Sequence, residues 1–550
     1  MKRIISIVLT ALILGAGIAQ AQKRTVTIDP RNANNSHTEQ ILNDIKMLGS
    51  ALITINNNYI DTIDSKKMVD SALEGFVKTL DPHSTYIPAD KVQEANESLD
   101  GSFEGVGIEF AIISDTLTVQ NVISGGPSEA VGLHIGDKII AIDGENVASV
   151  NLTNDDVRGK LRGPKGSKVK VRVIRHGVAE PLDFEIVRNK IPIESIDAAY
   201  QDESGVFYVK LGRFAAKSYT EFLKAFINHC PEEPKGLILD LRGNGGGFLN
   251  VALRIANAFL EEGQTILYTE GLNQPEVAQF ADGKGFFRTR PLVLLVDENS
   301  ASASEIVAGA IQDWDRGVII GRRTFGKGLV QRQMNLENGA QMRLTIARYH
   351  TPSGRVIQTP YKEGEKDEYY KKLTDRYKSG EFFSIDSLSF PDSLLFHTRI
   401  QERPVYGGGG IMPDIFIPED TTAFTPYYGS LIRRGILSEY VNIYCDGMRS
   451  QASELFPDFD AFYAWYTPDV ERAIIRDLVE YASGKGLEFN DDELKTSFPA
   501  LKPRLKGLIA RTFFGVNEYY RVINRECDPE FSKAVEVILN WNPNLPSIGR

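Results

Sequence analysis

A short apolar run, Leu-Val-Leu-Leu-Val at positions 292–296, constrains the fold of this chain more than any other stretch. It has the length of one strand and no polar residue on either face, which is typical of a strand buried on both sides of a sheet. The run Ser-Ala-Ser-Ala-Ser-Glu follows at positions 300–305, and helical character begins at residues 306–311. The sequence therefore predicts a strand-to-helix turn that sets serine side chains beside the free amides of a helix N-terminus. This geometry suits a nucleophilic hydroxyl with an oxyanion site.

A serine hydroxyl needs a base within hydrogen-bond reach to act as a nucleophile. Lys327 is the candidate, in a Phe-Gly-Lys-Gly sequence after the apolar strand predicted at 318–321. An ordinary lysine has a pKa of about 10.4 and is protonated at pH 7, but burial away from carboxylates lowers that pKa. Residues 317–335 contain no acidic side chain. If the segment after Lys327 is extended, Gln331 shares its face and can orient the lysine.

A glycine loop, Arg-Gly-Asn-Gly-Gly-Gly at residues 242–247, separates a predicted strand from a predicted helix. Such a loop can aim backbone amides at a ligand oxygen. We interpret Gly245 or Gly246 as an oxyanion donor, partnered by the amide of Ala303. A phosphate-binding loop is the alternative, but the lysine of a P-loop is missing. Asp240 and the arginine of the loop are predicted to brace it.

Residues 101–188 predict a small β-rich domain. An alternating strand follows Gly-Val-Gly-Ile at 105–108, and Gly-Asp-Lys-Ile-Ile-Ala-Ile-Asp-Gly occupies 136–144. These motifs resemble those of a PDZ domain. PDZ domains bind a C-terminal carboxylate with the amides of such a loop, while the peptide adds to an edge strand. The predicted carboxylate-binding residues are Gly105, Val106, Gly107 and Ile108.

Three separated motifs resemble the signatures of the C-terminal processing (tail-specific) serine peptidases, across about residues 73–418. They are the serine run, the Gly-Lys-Gly with Gln331, and Asp-Leu-Arg-Gly-Asn-Gly-Gly-Gly at 240–247. The resemblance implies that the middle serine, Ser302, is the nucleophile and that Lys327, 25 positions later, is the base. It also implies that Gln331 completes the site and that the core is crotonase-like (ClpP-like) α/β.

Other residues remain open as alternatives. Ser300 and Ser304 are the fallback nucleophiles. His350 stands where the family has an aromatic residue, which leaves a Ser/His variant open. His83, in Leu-Asp-Pro-His-Ser-Thr-Tyr at 80–86, suggests a triad, but we interpret that segment as a helix-capping turn.

The N-terminus predicts export. Lys2 and Arg3 precede an apolar stretch at 4–18 and then Ala-Gln-Ala, which is typical of a secretory signal peptide cut before Gln22. The stretch is too short to span a membrane as a helix. With no cysteine near the cut, we expect a soluble exported protein without lipid attachment, periplasmic if the host has two membranes.

The net charge and the positions of the cysteines restrict which partners and cofactors the chain is expected to bind. The formal net charge of −11 argues against a nucleic-acid partner. The three cysteines, Cys230, Cys445 and Cys527, lie too far apart for a disulfide framework or metal-ligand spacing, so no metal and no cofactor are expected. The expected partners are proteins or peptides with accessible apolar C-termini.

The chain is predicted to be a multidomain α/β protein with an inserted PDZ domain and helical N- and C-terminal regions. The expected divisions are a signal peptide (1–21), an N-terminal helical region (22–98), a PDZ domain (99–190), a serine peptidase core (191–420) and a C-terminal helical domain (421–550). In the last we expect helices at 431–448, 459–482 and 505–524, and a homodimer through the helical regions. Residues 361–383 are predicted to form a solvated helical insertion.

The primary hypothesis is a serine endopeptidase that reads protein C-termini and cleaves through a Ser/Lys dyad. A PDZ-containing peptide-binding scaffold or chaperone without activity is the alternative, and a ligand-binding relative of the same fold is a third. The joint presence of serine, lysine, glutamine and glycine loop favours the enzyme.

Overall fold

The computed structural model describes residues 35–542 except positions 114, 176 and 389, so the predicted signal peptide lies outside the described residues. The N-terminal elements are α1 (Asn35–Asn58), α2 (Ser65–Lys78), β1 (Thr85–Ile87) and α3 (Val92–Asp100). Strand β1 pairs antiparallel with a strand of the core, so this region is not purely helical as predicted. The pairing fixes the segment between α2 and β1 against the core.

The β-rich domain follows and confirms the predicted strands. Its strands are β2 (Ser102–Gly105), β3 (Ile108–Ile113), β4 (Thr116–Val122), β5 (Lys138–Ile142), β6 (Glu145–Asn146), β7 (Lys168–Ile174), β8 (Leu182–Val187) and β9 (Asn189–Pro192), with helices α4 (Pro127–Ala130) and α5 (Asn154–Leu161). The sheet order is β3-β4-β5-β7-β8, with β6 on β5, so β3 is an edge strand among the described residues. The entry strand β2 pairs with the exit strand β9, which ties both ends of the insertion together.

The core is built on a six-stranded sheet in the order β10-β11-β12-β15-β16-β21, parallel from β11 onward. A second sheet has the order β1-β18-β13-β14, with β17 on β18. The strands are β10 (Ile196–Gln201), β11 (Phe207–Leu211), β12 (Leu237–Asp240), β13 (Thr265–Gly271), β14 (Gln274–Phe280), β15 (Leu292–Val296), β16 (Val318–Gly321), β17 (Leu329–Asn335), β18 (Gln341–His350), β19 (Leu395–His397), β20 (Pro404–Tyr406) and β21 (Ile415–Phe416). The core helices are α6 (Ser218–His229), α7 (Leu249–Asn257), α8 (Ala303–Asp313) and α9 (Lys366–Lys378).

Both faces of the six-stranded sheet are covered, as the apolar run at 292–296 predicts. All five residues of β15 are buried. Leu292 and Leu294 pack in the cluster that contains α7 and α8, whereas Val293 and Leu295 pack in a cluster on the opposite face. This alternation follows from the two-residue period of a strand. The strand therefore ends between two packed layers, and the turn after it is held rigidly.

The C-terminal region is helical, but the helices differ from those predicted. They are α10 (Pro426–Arg433), α11 (Ile436–Leu455), α12 (Phe459–Trp465), α13 (Pro468–Gly484), α14 (Asp491–Phe514), α15 (Val516–Glu526) and α16 (Pro529–Leu539). Each of the three long predicted helices is interrupted. Gly435 adopts a left-handed conformation with φ of 68°, Pro468 starts a new helix, and Gly515 separates the last pair. Helix α16, which the periodicity does not predict, packs against the core sheet.

Two contacts tie the C-terminal helices to the β-rich domain. Asn442 on α11 donates to the side chain of Gln120 at 2.6 Å, and Arg511 on α14 forms an ion pair with Glu109 at 2.8 Å. Among the described residues, no helix combines the length and the apolar character that crossing a bilayer requires.

Candidate active site

The middle serine of the run is the accessible one. Ser302 is the N-cap residue of α8, with φ of 54° and ψ of −110°, and its side chain is half-buried. Positive φ is uncommon for a residue with a Cβ and persists where the surrounding structure holds it. Ser300 and Ser304 are fully buried, and their hydroxyls donate to the carbonyls of Leu241 and Asn244, each at 2.8 Å. The two fallback serines therefore serve the packing of the turn.

Glu305, to which the sequence analysis assigns no role, joins the serine turn to the lysine loop. Its buried carboxylate accepts the backbone N–H groups of Ser302 (2.8 Å), Gly326 (2.8 Å) and Lys327 (2.9 Å), and the hydroxyl of Thr324 (2.5 Å). Burial raises the pKa of this carboxyl above its ordinary value, while the four donors oppose that shift. One side chain thus sets the distance between the candidate nucleophile and the candidate base.

Lys327 is held without an ion pair among the described residues. Its Nζ donates to Oε1 of Gln331 at 3.0 Å, which confirms that the two side chains share a face of the extended segment. Burial lowers the pKa of Lys327, and the charges of Asp81 and Glu305 oppose this only in part. An amide oxygen orients the amine without stabilising the ammonium as a carboxylate does. The arrangement favours a neutral lysine.

The orientation of the Gln331 amide is fixed by the segment before β1. Nε2 of Gln331 donates to the backbone carbonyl of His83 at 2.6 Å, so Oε1 must face Lys327. Asp81 holds that segment by accepting the N–H groups of His83 and Ser84, each at 2.9 Å. The segment starts as a turn at the C-terminus of α2, where the Leu80 N–H donates to the Val77 carbonyl at 3.2 Å, as the interpretation of a helix-capping turn predicts, and it then leads into β1.

The glycine loop lies directly against the serine turn. A Cβ on Gly246 would come within 2.9 Å of the Ala303 nitrogen and of Ser302 Cβ, so only glycine fits there. Asn244, buried in the loop, accepts the Ala301 N–H at 3.0 Å through its carbonyl. Its side-chain oxygen accepts the Gly246 N–H at 2.9 Å. Because the Gly246 amide is engaged in this way, Gly245 is the better placed of the two proposed oxyanion donors.

These residues surround one cleft of about 660 Å³. Ser302, Ala303, Lys327, Gln331, Gly245 and Gly246 all line it. Tyr349 forms part of the wall, and its hydroxyl lies 3.3 Å from the carbonyl oxygen of Ser302 and 3.1 Å from that of Lys327. The structure therefore brings together every catalytic and oxyanion residue that the sequence analysis names.

The insertion at 361–383 is not simply solvated, which corrects the prediction. Tyr369 on α9 is buried, with its ring 5.1 Å from that of His83 and 6.1 Å from that of Phe325. Phe382 is buried as well. Aromatic side chains of the insertion thus pack against residues on the segment that leads to Lys327.

His350 lies elsewhere and does not line the cleft. Its ring stacks on Tyr268 with centroids 4.4 Å apart, Nε2 contacts Glu270 at 3.0 Å, and Nδ1 contacts the carbonyl of Gly354 at 3.1 Å. Both ring nitrogens of His350 therefore already have a hydrogen-bond partner. The Ser/His variant with this residue is therefore not supported by the geometry.

Substitution of His83 by phenylalanine is expected to change kcat by less than about tenfold, because the contact with Gln331 is made by the backbone carbonyl. Burial lowers the pKa of His83 to about 4, so the imidazole is neutral near pH 7. A general base contributes at least about a hundredfold. Kinetics of His83→Phe across pH test this, and a loss above a hundredfold would restore the triad interpretation.

The predicted carboxylate-binding loop of the β-rich domain runs from the end of β2 into the edge strand β3. The Val106 carbonyl accepts the Ser128 N–H at 3.1 Å and its hydroxyl at 2.7 Å, and the Gly107 carbonyl accepts the Ile123 N–H at 3.0 Å. Gly107 has φ of 80°, which a residue with a Cβ rarely adopts. The loop is thus fixed through its carbonyl groups, with Gly105 and Ile108 at its two ends.

Comparison with known proteins gives matches over most of the chain. The family model for peptidase family S41 matches residues 205–364, a PDZ domain model matches 105–186, and the model of the activating protease CtpB N-terminal domain matches 9–91. A family of unknown function matches 427–515. The peptidase match contains the serine turn, the glycine loop and the lysine segment.

Two relatives are similar to this chain over about 60% of its length. The carboxy-terminal-processing protease of Bartonella bacilliformis is 36% identical over 338 residues, which are 60% of this chain and 75% of the relative. The carboxy-terminal processing protease CtpB of Bacillus subtilis is 32% identical over 335 residues, 59% of this chain and 67% of the relative. A solved photosystem II D1 C-terminal processing protease is 26% identical, with a TM-score of 0.30, over 56% of this chain and 89% of that one.

The match to peptidase family S41 over the core that carries the serine turn identifies a serine peptidase, a hydrolase of peptide bonds. At this level of identity and coverage, the chain belongs to the carboxy-terminal processing proteases of peptidase family S41. The resemblance noted in the sequence and the predicted fold class are both confirmed.

Proposed function

We propose that this peptidase selects proteins by their C-terminal tails and cleaves them through an acyl-enzyme formed on Ser302 with Lys327 as the base. The observation that carries the proposal is the state of Lys327. Lys327 is half-buried, this burial lowers its pKa, and its amine donates to the amide oxygen of Gln331 in the cleft that Ser302 lines. A lysine in a solvated or ion-paired setting could not serve as a base near neutral pH.

The reaction needs no cofactor. Neutral Lys327 takes the proton of the Ser302 hydroxyl as Oγ attacks the scissile carbonyl, and the new oxyanion accepts hydrogen bonds from the amides of Gly245 and Ala303. The protonated lysine returns the proton to the leaving amine as the C–N bond breaks. Water then attacks the acyl-enzyme with the same base, which releases the new C-terminus and restores the serine.

Tail selection is assigned to the PDZ domain. A peptide adds to the edge of β3 that pairs with no other strand in the described part of the chain, and its terminal carboxylate meets the loop of Gly105, Val106, Gly107 and Ile108. The edge position of β3 supports this mode, because an unpaired strand edge offers the backbone groups that a peptide can pair with.

Mass spectrometry of an unfolded test protein with an apolar C-terminal tail, incubated with the mature enzyme, tests the proposal. We expect cleavage by the wild type and none by Ser302→Ala, and a marked loss when the tail is made charged. Cleavage that ignores the tail would contradict tail selection. Binding of the tail peptide without cleavage would favour the inactive scaffold instead.

Export is proposed from the N-terminal sequence. The Lys-Arg start, the apolar stretch and Ala-Gln-Ala support removal of residues 1–21, with the mature chain starting at Gln22 in the periplasm or outside the cell. N-terminal sequencing of protein recovered from the exported fraction checks the cut.

A homodimer through α1 is also proposed. The helix exposes large apolar side chains around its surface, which soluble proteins rarely leave uncovered. They are Ile41, Leu42, Ile45, Met47, Leu48, Ile53 and Ile55. We expect Ile45→Glu to halve the mass measured by light scattering, and the exposed neighbour Lys46→Glu to leave it unchanged. A monomeric wild type would contradict this assembly.

A further inference from the structure

The last helix of the described chain carries two buried carboxylates to the core. Asp528 caps α16 by accepting the Phe531 N–H at 2.9 Å. Phe531, Ala534 and Ile538 are buried against the six-stranded sheet, on the face opposite α8. The first turn of α16 is therefore fixed beside the carboxyl ends of β12 and β16, where the glycine loop and the lysine segment begin.

Asp528 binds the first residue of the glycine loop with both of its oxygens. Nη1 of Arg242 donates to Oδ1 at 3.0 Å, and Nη2 donates to Oδ2 at 2.7 Å. The same guanidinium donates to the carboxylate of Asp240 at 3.0 and 2.7 Å. Asp240 and Arg242 thus brace the loop as the sequence predicts, but a third member comes from 286 positions away. Two bidentate pairs leave the guanidinium one orientation.

Glu530, two residues after Asp528, reaches the segment that carries the base. Nη1 of Arg322 donates to Oε1 of Glu530 at 3.0 Å, and the second oxygen lies 3.5 Å from Nη1 of Arg242. Nε of Arg322 donates to Glu298 at 2.9 Å. Arg322 directly follows β16 and starts the segment that leads to Lys327. The first turn of α16 therefore contacts both the glycine loop and the lysine segment.

We propose that Asp528 and Glu530 are positioning residues that hold the glycine loop and the lysine segment, so that full activity requires the C-terminal helix in place. The proposal rests on the proposed roles of Gly245 and Lys327. All four partners are largely buried, with side-chain exposures of 17% for Arg242, 7% for Asp528, 9% for Glu530 and 12% for Arg322. Removing one partner of a buried pair leaves the other charge uncompensated, and the segment that carries it shifts.

The test is Asp528→Asn, because asparagine still caps a helix and only the charge is lost. The matched control is Asp458→Asn, another N-cap aspartate, which accepts the Ala461 N–H and is not paired with an arginine among the described residues. We expect kcat to fall about tenfold to a hundredfold at unchanged KM in Asp528→Asn, as a small misplacement of catalytic groups produces. The Asp458→Asn control should keep the wild-type kcat and KM.

Hydrogen exchange of peptides covering 241–248 and 322–328 gives a readout independent of turnover. Faster exchange there in Asp528→Asn and in Glu530→Gln, but not in the control, supports the proposal. A lower thermal midpoint with unchanged kcat and unchanged exchange in these peptides overturns it. If the wild type cleaves nothing, the proposed function fails, and the exchange measurement alone decides whether the helix holds the two segments.

Discussion

Replacing Ser302 with alanine is expected to lower kcat/KM by at least about four orders of magnitude with the fold intact, because no other group can form the acyl-enzyme. The side chain is half-buried at the cleft, and the backbone N–H of Ser302, which the substitution keeps, donates to the Glu305 carboxylate at 2.8 Å. Removing the hydroxyl costs the turn its N-cap contact with the Glu305 N–H, about 1 kcal/mol in the free energy of unfolding. Burst kinetics with an activated ester, beside thermal unfolding, measure both effects.

The neighbouring serines provide the controls. Ser300→Ala and Ser304→Ala each leave a buried carbonyl, of Leu241 and Asn244 respectively, without its hydroxyl donor, at a cost of about 1 kcal/mol in the free energy of unfolding. We expect them to retain turnover per folded molecule. An active Ser302→Ala with an inactive Ser300→Ala or Ser304→Ala would move the nucleophile to one of the fallback positions.

Replacing Lys327 with methionine is expected to lower kcat by about a hundredfold to ten-thousandfold, the usual contribution of a positioned base. In the wild type, kcat rises with pH as the lysine loses its proton. The midpoint of this limb lies below the ordinary value of about 10.4, because burial lowers the pKa. The pH profile of kcat in the wild type and in Lys327→Met measures the limb, which must disappear in the variant.

The same substitution should not destabilise the fold at neutral pH. A lowered pKa in the folded state means that the unfolded chain binds more protons between the two pKa values, so the free energy of unfolding rises with pH across that window. At pH values below that window, the charged amine of Lys327 in its partly buried position lowers the free energy of unfolding. Methionine has a similar shape and carries no charge, so the substitution removes this loss. Lys327→Arg, which stays charged, is the matched control and should be inactive at every pH. A wild-type pH limb in Lys327→Met would exclude the lysine base.

The sequence was sufficient to predict the parts of the candidate site that lie within short segments of the chain. Period-two and apolar patterns identify β15, β16 and the turn at Ser302, since these depend on neighbours in the chain. The spacing of the serine and lysine motifs led to their pairing through family resemblance. The contact between Lys327 and Gln331 was expected on the condition that the segment after Lys327 is extended.

The residues that hold these segments together were not predictable in the same way. Glu305 lies within the quoted serine motif, yet its four donors become visible only when the lysine loop is placed beside it. The roles of Asn244 and Tyr349 likewise depend on contacts between distant segments. The prediction that residues 361–383 are solvated was wrong because their composition is mostly charged and does not indicate a buried residue. The burial of Tyr369 depends on His83, which comes from a distant part of the chain.

The cleft gathers parts from widely separated stretches of the chain: the carbonyl at position 83, the glycine loop, the serine turn and the lysine segment. Contacts of such long sequence separation form late in folding, because loop closure must precede them. A chain that is still unfolded has Ser302 without Lys327 and the glycine loop beside it. We therefore expect peptidase activity to appear only once the fold is complete.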